Sequence, residues 1–229
     1  TGATGITNAT VSGTTATSTF QINPLGVNTA STTIPGVILT AATTTKIAFT
    51  TQAADSGATN GNIKSGLAFE TQPIITAQDT WGNTSTTQTG TVTLSETGSG
   101  TLTGTLTKSF SSGIANFSGN GLIYTALADQ ETFTLTATDG TFSTTTASLT
   151  ADAVATKLVF TTQPSGDAVT GKAPSGQPVV TAKDANDLVD TDFASLVSVI
   201  PSSGNGTTQN SSVTAVSGIA TFTNLMYNA

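Results

Sequence analysis

The chain has no Cys, no His and no Arg, and its 229 residues include one Trp, one Met and two Tyr. Each absence removes a class of chemistry. Without His or Cys there is no imidazole acid or base, no thiol nucleophile and no zinc site of the nitrogen–sulfur kind. Without Arg there is no bidentate clamp for phosphate or carboxylate. Six scattered Lys against thirteen acidic residues leave a net charge of −7, so no nucleic-acid partner is expected. Membrane insertion is not expected either, since no run approaches the roughly 18 apolar residues that cross a bilayer. Zero Cys leaves the redox compartment open, but any extracellular domain here stands without disulfides. With no initiating Met and no basic-then-apolar leader, a mature or excised product is expected.

Charge is scarce as well, at 8% of residues, against roughly 25% in ordinary globular chains. Thr takes its place with 53 residues, beside 23 Gly, while the hydrophobic 36% is enough to build a core. Thr and Val alternate with apolar residues at period two, as in Thr91-Val92-Thr93-Leu94 and Phe133-Thr134-Leu135-Thr136. Gly, Asn, Asp and Pro break these runs at Asp79 to Asn83, Gly98 to Gly100, Gly119 to Gly121 and Asp139-Gly140. No 3.6-residue periodicity is sustained, and β-branched Thr at this density disfavours helix. The expected class is all-β, with many short strands in a sandwich or barrel.

An internal repeat organises the chain. Lys46-Ile47-Ala48-Phe49-Thr50-Thr51-Gln52 recurs as Lys157-Leu158-Val159-Phe160-Thr161-Thr162-Gln163. Gln72-Pro73-Ile74-Ile75-Thr76-Ala77-Gln78-Asp79 recurs as Gln177-Pro178-Val179-Val180-Thr181-Ala182-Lys183-Asp184. Ser112-Gly113-Ile114-Ala115-Asn116-Phe117 recurs as Ser217-Gly218-Ile219-Ala220-Thr221-Phe222. Three ordered matches with a period of about 105 to 111 residues exceed what Thr-rich text produces by accident. Phe49, Phe117, Phe160 and Phe222 recur in register and are expected in the cores.

These motifs resemble the bacterial Ig-like repeats related to invasin and intimin, found in large adhesins, surface-layer and filament proteins. The resemblance covers residues from about 45 to 229. It implies tandem Ig-like β-sandwiches and an extracellular, cell-surface role, mechanical or adhesive, with no particular ligand. The antibody-type Cys…Trp…Cys core is absent, and Trp81 falls in a turn signal.

On this reading residues 46–155 form one sandwich and 156–229 form a second that lacks its last strands. Repeat one runs on past Tyr124-Thr125-Ala126 through the Asp139-Gly140 turn to Leu149, whereas repeat two has only Tyr227-Asn228-Ala229. Residues 1–30 resemble the lacking part: Ala9 to Gly13 leads through a Thr-rich run to Phe20-Gln21-Ile22. Residues 31–45, with Pro35, read as a linker. Exposing about three to five core side chains costs ~1.5–3 kcal/mol each, comparable with the whole ~5–15 kcal/mol stability of a small domain. Two accounts remain open. Residues 1–30 of one subunit complete repeat two of the next by β-strand addition, which generates head-to-tail polymers, or the chain is one period of a longer tandem-repeat polypeptide. The expected donor residues are Ile6, Val11, Phe20 and Ile22, and the acceptor residues Phe222, Leu225 and Tyr227.

Other candidate sites each have a plainer reading. Asp184, Asn186, Asp187, Asp190 and Asp192 gather the oxygen ligands that Ca²⁺ takes, or form an Asx-rich turn and a charged strand edge. No other cofactor is expected. Sequons at Asn8, Asn83, Asn116, Asn205 and Asn210 would accept surface glycans. About four of the thirteen Asn would match by chance among so many Ser and Thr. An enzyme is not expected, because nothing in the sequence brings Asp55, Glu70, Glu96 or Glu131 together as a carboxylate pair. The sequence thus points to a structural repeat subunit of a surface filament or layer. The alternative is a stalk or binding segment of a bacterial-type adhesin.

Overall fold

Thr-rich alternation becomes strand wherever the apolar member of each pair can be buried. In Thr91–Glu96, Val92 and Leu94 point inward while Thr91, Thr93 and Ser95 face solvent. The computed structural model describes residues 43–56, 63–166 and 169–229. Among them there is no helix, and 19 short strands form an all-β, sandwich-type fold. The first group is β1 (Lys46–Thr51), β2 (Ile63–Lys64), β3 (Ile74–Gln78), β4 (Thr91–Glu96), β5 (Thr101–Thr103) and β6 (Thr107–Ser109). It continues with β7 (Ile114–Asn116), β8 (Ile123–Thr125), β9 (Glu131–Phe133), β10 (Leu135–Thr138), β11 (Ser143–Thr145) and β12 (Leu149–Asp152). The second group is β13 (Lys157–Thr162), β14 (Val179–Lys183), β15 (Leu196–Ser198), β16 (Thr207–Gln209), β17 (Ser212–Thr214), β18 (Ile219–Thr221) and β19 (Met226–Asn228).

Two hydrophobic clusters divide these strands into two units. Unit one packs the sheet β1-β3-β7 against β11-β10-β4-β6, with β2-β12-β9 and β5-β8 at its side. Its cluster holds 20 buried residues from Ile47 to Ala151, including Ile75, Val92, Leu94, Phe117 and Tyr124. Unit two repeats part of this plan: β13-β14-β18 matches β1-β3-β7, β15-β17 matches β4-β6, and β16-β19 matches β5-β8. The repeat extends to irregularities, since the register shift at Phe49/Thr51 recurs at Phe160/Thr162. Strands β9 to β12 have no counterpart among the described residues of unit two. Its cluster has six buried members: Val180, Val197, Ala215, Ala220, Phe222 and Leu225.

The repeated motifs are the residues that close each unit. Gln72 donates to the carbonyls of Phe69 (2.8 Å) and Leu122 (3.4 Å) and accepts from Leu122 N–H. Gln177 makes the same three bonds to Pro174 and Leu225. The Ser-Gly pairs are two-residue hairpin turns with both residues at positive φ, 50° and 76° at Ser112-Gly113 and 49° and 75° at Ser217-Gly218. A Cβ on Gly113 would meet the Ser85 carbonyl oxygen at 2.2 Å, and one on Gly218 the Asp190 carbonyl at 2.2 Å. Both the conformation and the close approach therefore require Gly.

Candidate assembly site

In unit one the last four strands finish the core. Phe133, Leu135, Ala137, Leu149 and Ala151, all on β9, β10 or β12, supply five of its 20 buried residues. The Phe133 ring stacks on Tyr124 with centroids 3.7 Å apart. The Tyr124 hydroxyl accepts from Gly100 N–H (3.0 Å) and donates to Glu131 Oε1 (2.7 Å). The same carboxylate accepts from the N–H groups of Ser99, Gly100 and Leu127. Burial works against the Glu131 charge, but the Tyr124 hydroxyl and these three amides outweigh it and hold the carboxyl at about 2. Burial first, and then the Glu131 partnership, push Tyr124 far above its ordinary range.

Unit two keeps one half of this closure. The Tyr227 hydroxyl accepts from Gly206 N–H at 3.0 Å, as Tyr124 does from Gly100. Beside Tyr227, unit two has an apolar cleft of about 300 Å³ lined by Pro164, Val169, Pro174, Leu225, Met226 and Tyr227. Leu158 is 50% exposed, whereas its counterpart Ile47, on a strand that runs beside β11, is 3% exposed. Phe160 is 42% exposed, against a half-buried Phe49. Of the four recurring Phe, then, Phe117 and Phe222 are fully buried, and the expectation that Phe160 lies in a core is corrected: among the described residues no counterpart of β11 covers it. Phe222 and Leu225 are also buried within unit two, so of the three expected acceptor residues Leu225 and the half-buried Tyr227 line the cleft and Phe222 does not. The expected donor residues Ile6, Val11, Phe20 and Ile22 lie outside the described residues, as do Asn8 and all but the end of the 31–45 linker.

The acidic stretch is dispersed into separate structural roles. Asp184 Oδ1 caps its own turn by accepting from the N–H groups of Asn186 and Leu188, both at 2.8 Å. Asp190 Oδ2 accepts from Ala155 N–H (2.7 Å), and Asp187, mostly exposed, pairs with Lys157 at 2.8 Å, which lowers its pKa. Asp192 is half-buried. Among the described residues no three acidic side chains converge to hold a metal ion, so the Ca²⁺ reading of this stretch has no geometry to rest on. Asp55 and Glu70, by contrast, meet around Lys64: Asp55 accepts from the N–H groups of Lys64 and Glu70, and Glu70 pairs with Lys64 at 2.9 Å. Hydrogen bonds from Ser56 and then Lys64 hold Glu70 at about 2. Glu96 and Glu131 lie elsewhere, on β4 and β9. Of the sequon residues, Asn116, Asn205 and Asn210 are exposed, whereas the Asn83 amide donates to Asp79 at 3.0 Å.

A joint connects the units. Asp129, between β8 and β9, accepts from Ala153 N–H (2.7 Å) with one oxygen and from the Thr191 N–H (2.8 Å) and hydroxyl with the other. Leu188 of unit two packs against the cluster of unit one. Asn186 sits over Gly66, where a Cβ would lie 2.0 Å from its amide nitrogen. Sequence reasoning missed both the Tyr124–Glu131 closure and the Asp129 joint. The recurrence of Gly98-x-Gly100 and Gly204-x-Gly206 ahead of each Tyr was a legible signal for the first. Comparison with family models, curated proteins and solved structures finds no match for the chain.

Proposed function

We propose that the chain is an extracellular structural protein, a repeat subunit of a surface filament or surface layer that assembles head to tail through strands added to unit two. The observation that carries this reading is the contrast between two copies of one plan. Unit one buries Ile47 and stacks an aromatic ring on Tyr124, while unit two leaves Leu158 half-exposed and a cleft beside Tyr227. An apolar groove with an open strand edge is what an added strand recognises, since main-chain bonds supply affinity and alternate side chains fill the groove; β4 pairs with both β10 and β6, whereas its counterpart β15 pairs only with β17 among the described residues. A donor at one end and a groove at the other make a contact that does not close on itself, which yields a filament or lattice. The Ig-like, cell-surface character comes from the repeat motifs and stands as part of the same proposal.

Electron microscopy and light scattering of the purified chain test it. Regular polymers are expected, and deleting residues 1–30 abolishes them. Polymers that survive the deletion overturn strand donation by this segment. A mass for the denatured natural material far above 22.8 kDa replaces donation between subunits with a continuous tandem chain. Monodisperse monomers favour the adhesin-stalk reading, for which the 65%-exposed Trp81 offers a contact surface.

A further inference from the structure

The four closing strands of unit one have a second, more extensive match near the start of the chain. Thr132-Phe133-Thr134-Leu135 is followed by Leu149-Thr150-Ala151 and then by Lys157, the first residue of β13. Thr19-Phe20-Gln21-Ile22 is followed by Leu39-Thr40-Ala41 and then by Lys46, the first residue of β1. The intervals from Phe to Leu are 16 and 19 positions, and those from Leu to Lys are eight and seven. In unit one these positions carry the closure: Phe133, Leu135, Leu149 and Ala151 are all buried, and Leu149 pairs with Phe133 across β12 and β9.

Resting on the head-to-tail reading above, we infer that residues 18–41 of a second copy seat on unit two in the register of Glu131–Ala151, with Phe20 stacked on Tyr227 and Ser18 in the place of Glu131. Tyr227 is already held by Gly206 as Tyr124 is by Gly100, so the groove offers a preset aromatic face to a ring two residues beyond a hydrogen-bonding side chain. Ile22 then follows the path of Leu135, whose position pairs with Glu96, the counterpart of Pro201. The segment would also cover Leu158 and Phe160, as β11 lies beside β1.

The spacing also selects which copy donates. In unit one, four residues, Ala153–Thr156, separate β12 from β13, and Ala155 is bound to Asp190 across that junction. The similar step from Leu39 to Lys46 places the sandwich completed by residues 18–41 immediately ahead of unit one, beside the Asp79–Asn83 turn where β1 begins. The chain's own unit two is joined at the opposite end, through Asp129 and Thr191. One chain cannot keep both connections short, so the groove filled belongs to another copy.

Thr97 and Thr134 hydrogen-bond side chain to side chain at 3.0 Å, and their counterparts in the proposed register are Ser202 and Gln21. Because the chain has no Cys, mixing Gln21→Cys with Ser202→Cys under mild oxidation isolates this contact. The expected product is a disulfide-linked heterodimer, twice the mass of one chain, formed by this mixture and not by Ser12→Cys with Ser202→Cys. Polymers that cross-link through Ser12→Cys instead overturn the register while leaving head-to-tail assembly intact. A double variant, Gln21→Cys with Ser202→Cys in one chain, that closes only within the monomer overturns the choice of a second copy. Absence of both polymer and cross-link removes the assembly reading and this inference together. Phe20→Ala supplies a second readout, since loss of the stacked ring abolishes polymer without altering the circular dichroism of the monomer.

Discussion

Replacing Glu131 by Gln tests whether unit one is closed by the carboxylate at its side. The native group accepts from the Tyr124 hydroxyl, from Ser99 and Gly100 N–H on one oxygen, and from Leu127 N–H on the other. A carboxamide has one acceptor oxygen. Turned toward Tyr124, it leaves its NH₂ facing the Leu127 N–H, donor against donor. Hydrogen bonds to a charged group contribute ~1.5–3 kcal/mol and neutral ones ~0.5–1.5 kcal/mol, so the loss at the buried Tyr124 and at Gly100 comes to about 2 kcal/mol. Leu127 is exposed, and water replaces most of that bond. For a unit of this size the melting temperature falls by roughly 10 °C.

The pH dependence gives the prediction its second arm. The folded carboxyl lies at about 2, below an unfolded value of about 4.3. A depressed acid stabilises the fold above its unfolded pKa and loses that contribution as pH falls through its folded pKa. The gap between wild type and Glu131→Gln in urea unfolding, followed by circular dichroism, is therefore widest above about pH 5 and closes toward about pH 2. A gap that stays constant across that range, or is below about 0.5 kcal/mol at neutral pH, refutes the carboxylate as the closing group.

Three further outcomes follow from the geometry. Asp129→Ala removes the acceptor of Thr191 and Ala153, so hydrogen exchange at those two amides accelerates while amides of β3 and β4 stay protected; uniform protection would show that other contacts hold the joint. Trp81 is the only Trp and is 65% exposed, so its emission is that of a hydrated indole in the monomer and shifts to the blue on assembly; unchanged acrylamide quenching in the polymer would place it outside the contact. Adding Ca²⁺ or EDTA leaves the melting temperature unchanged, because Asp184, Asp187 and Asp190 point to different partners, and a rise with Ca²⁺ would mean that they reorient.

The strand pattern was legible because solvent and core select opposite members of each Thr–apolar pair. The repeat was legible because its recurring residues are closure devices: the Ser-Gly turns and the Asp caps act within a few residues of their own strand, and the Gln clamps, which reach Leu122 and Leu225 across 50 and 48 positions, recur inside the same motif in both units. The joint was not legible. Asp129 and Thr191 are 62 positions apart in unlike local contexts, and nothing at either position in the sequence marks the other. Phe160 was misplaced for a related reason. Apolar periodicity shows which side of a strand seeks burial, but not whether a second sheet is present to receive it.

The two units also differ at the turn that follows β3 in one and β14 in the other. Asp79 binds the Asn83 amide with its second oxygen, whereas in unit two Leu188 takes the place of Asn83 and Asp184 Oδ2 is buried with no hydrogen-bond partner among the described residues. An unsatisfied buried acceptor costs ~1–3 kcal/mol, and burying a Leu contributes ~1.5–3 kcal/mol. The exchange is therefore close to neutral where unit one covers Leu188, and unfavourable where nothing does. At the corresponding end of unit one the Asp79 cap keeps its Asn, and the apolar group offered to solvent is the Trp81 ring in place of Asn186. That end offers a ring on a capped turn, not a Leu that requires cover. Unit one can thus stand with that end open, whereas the turn of unit two is stable only under the cover that unit one gives Leu188.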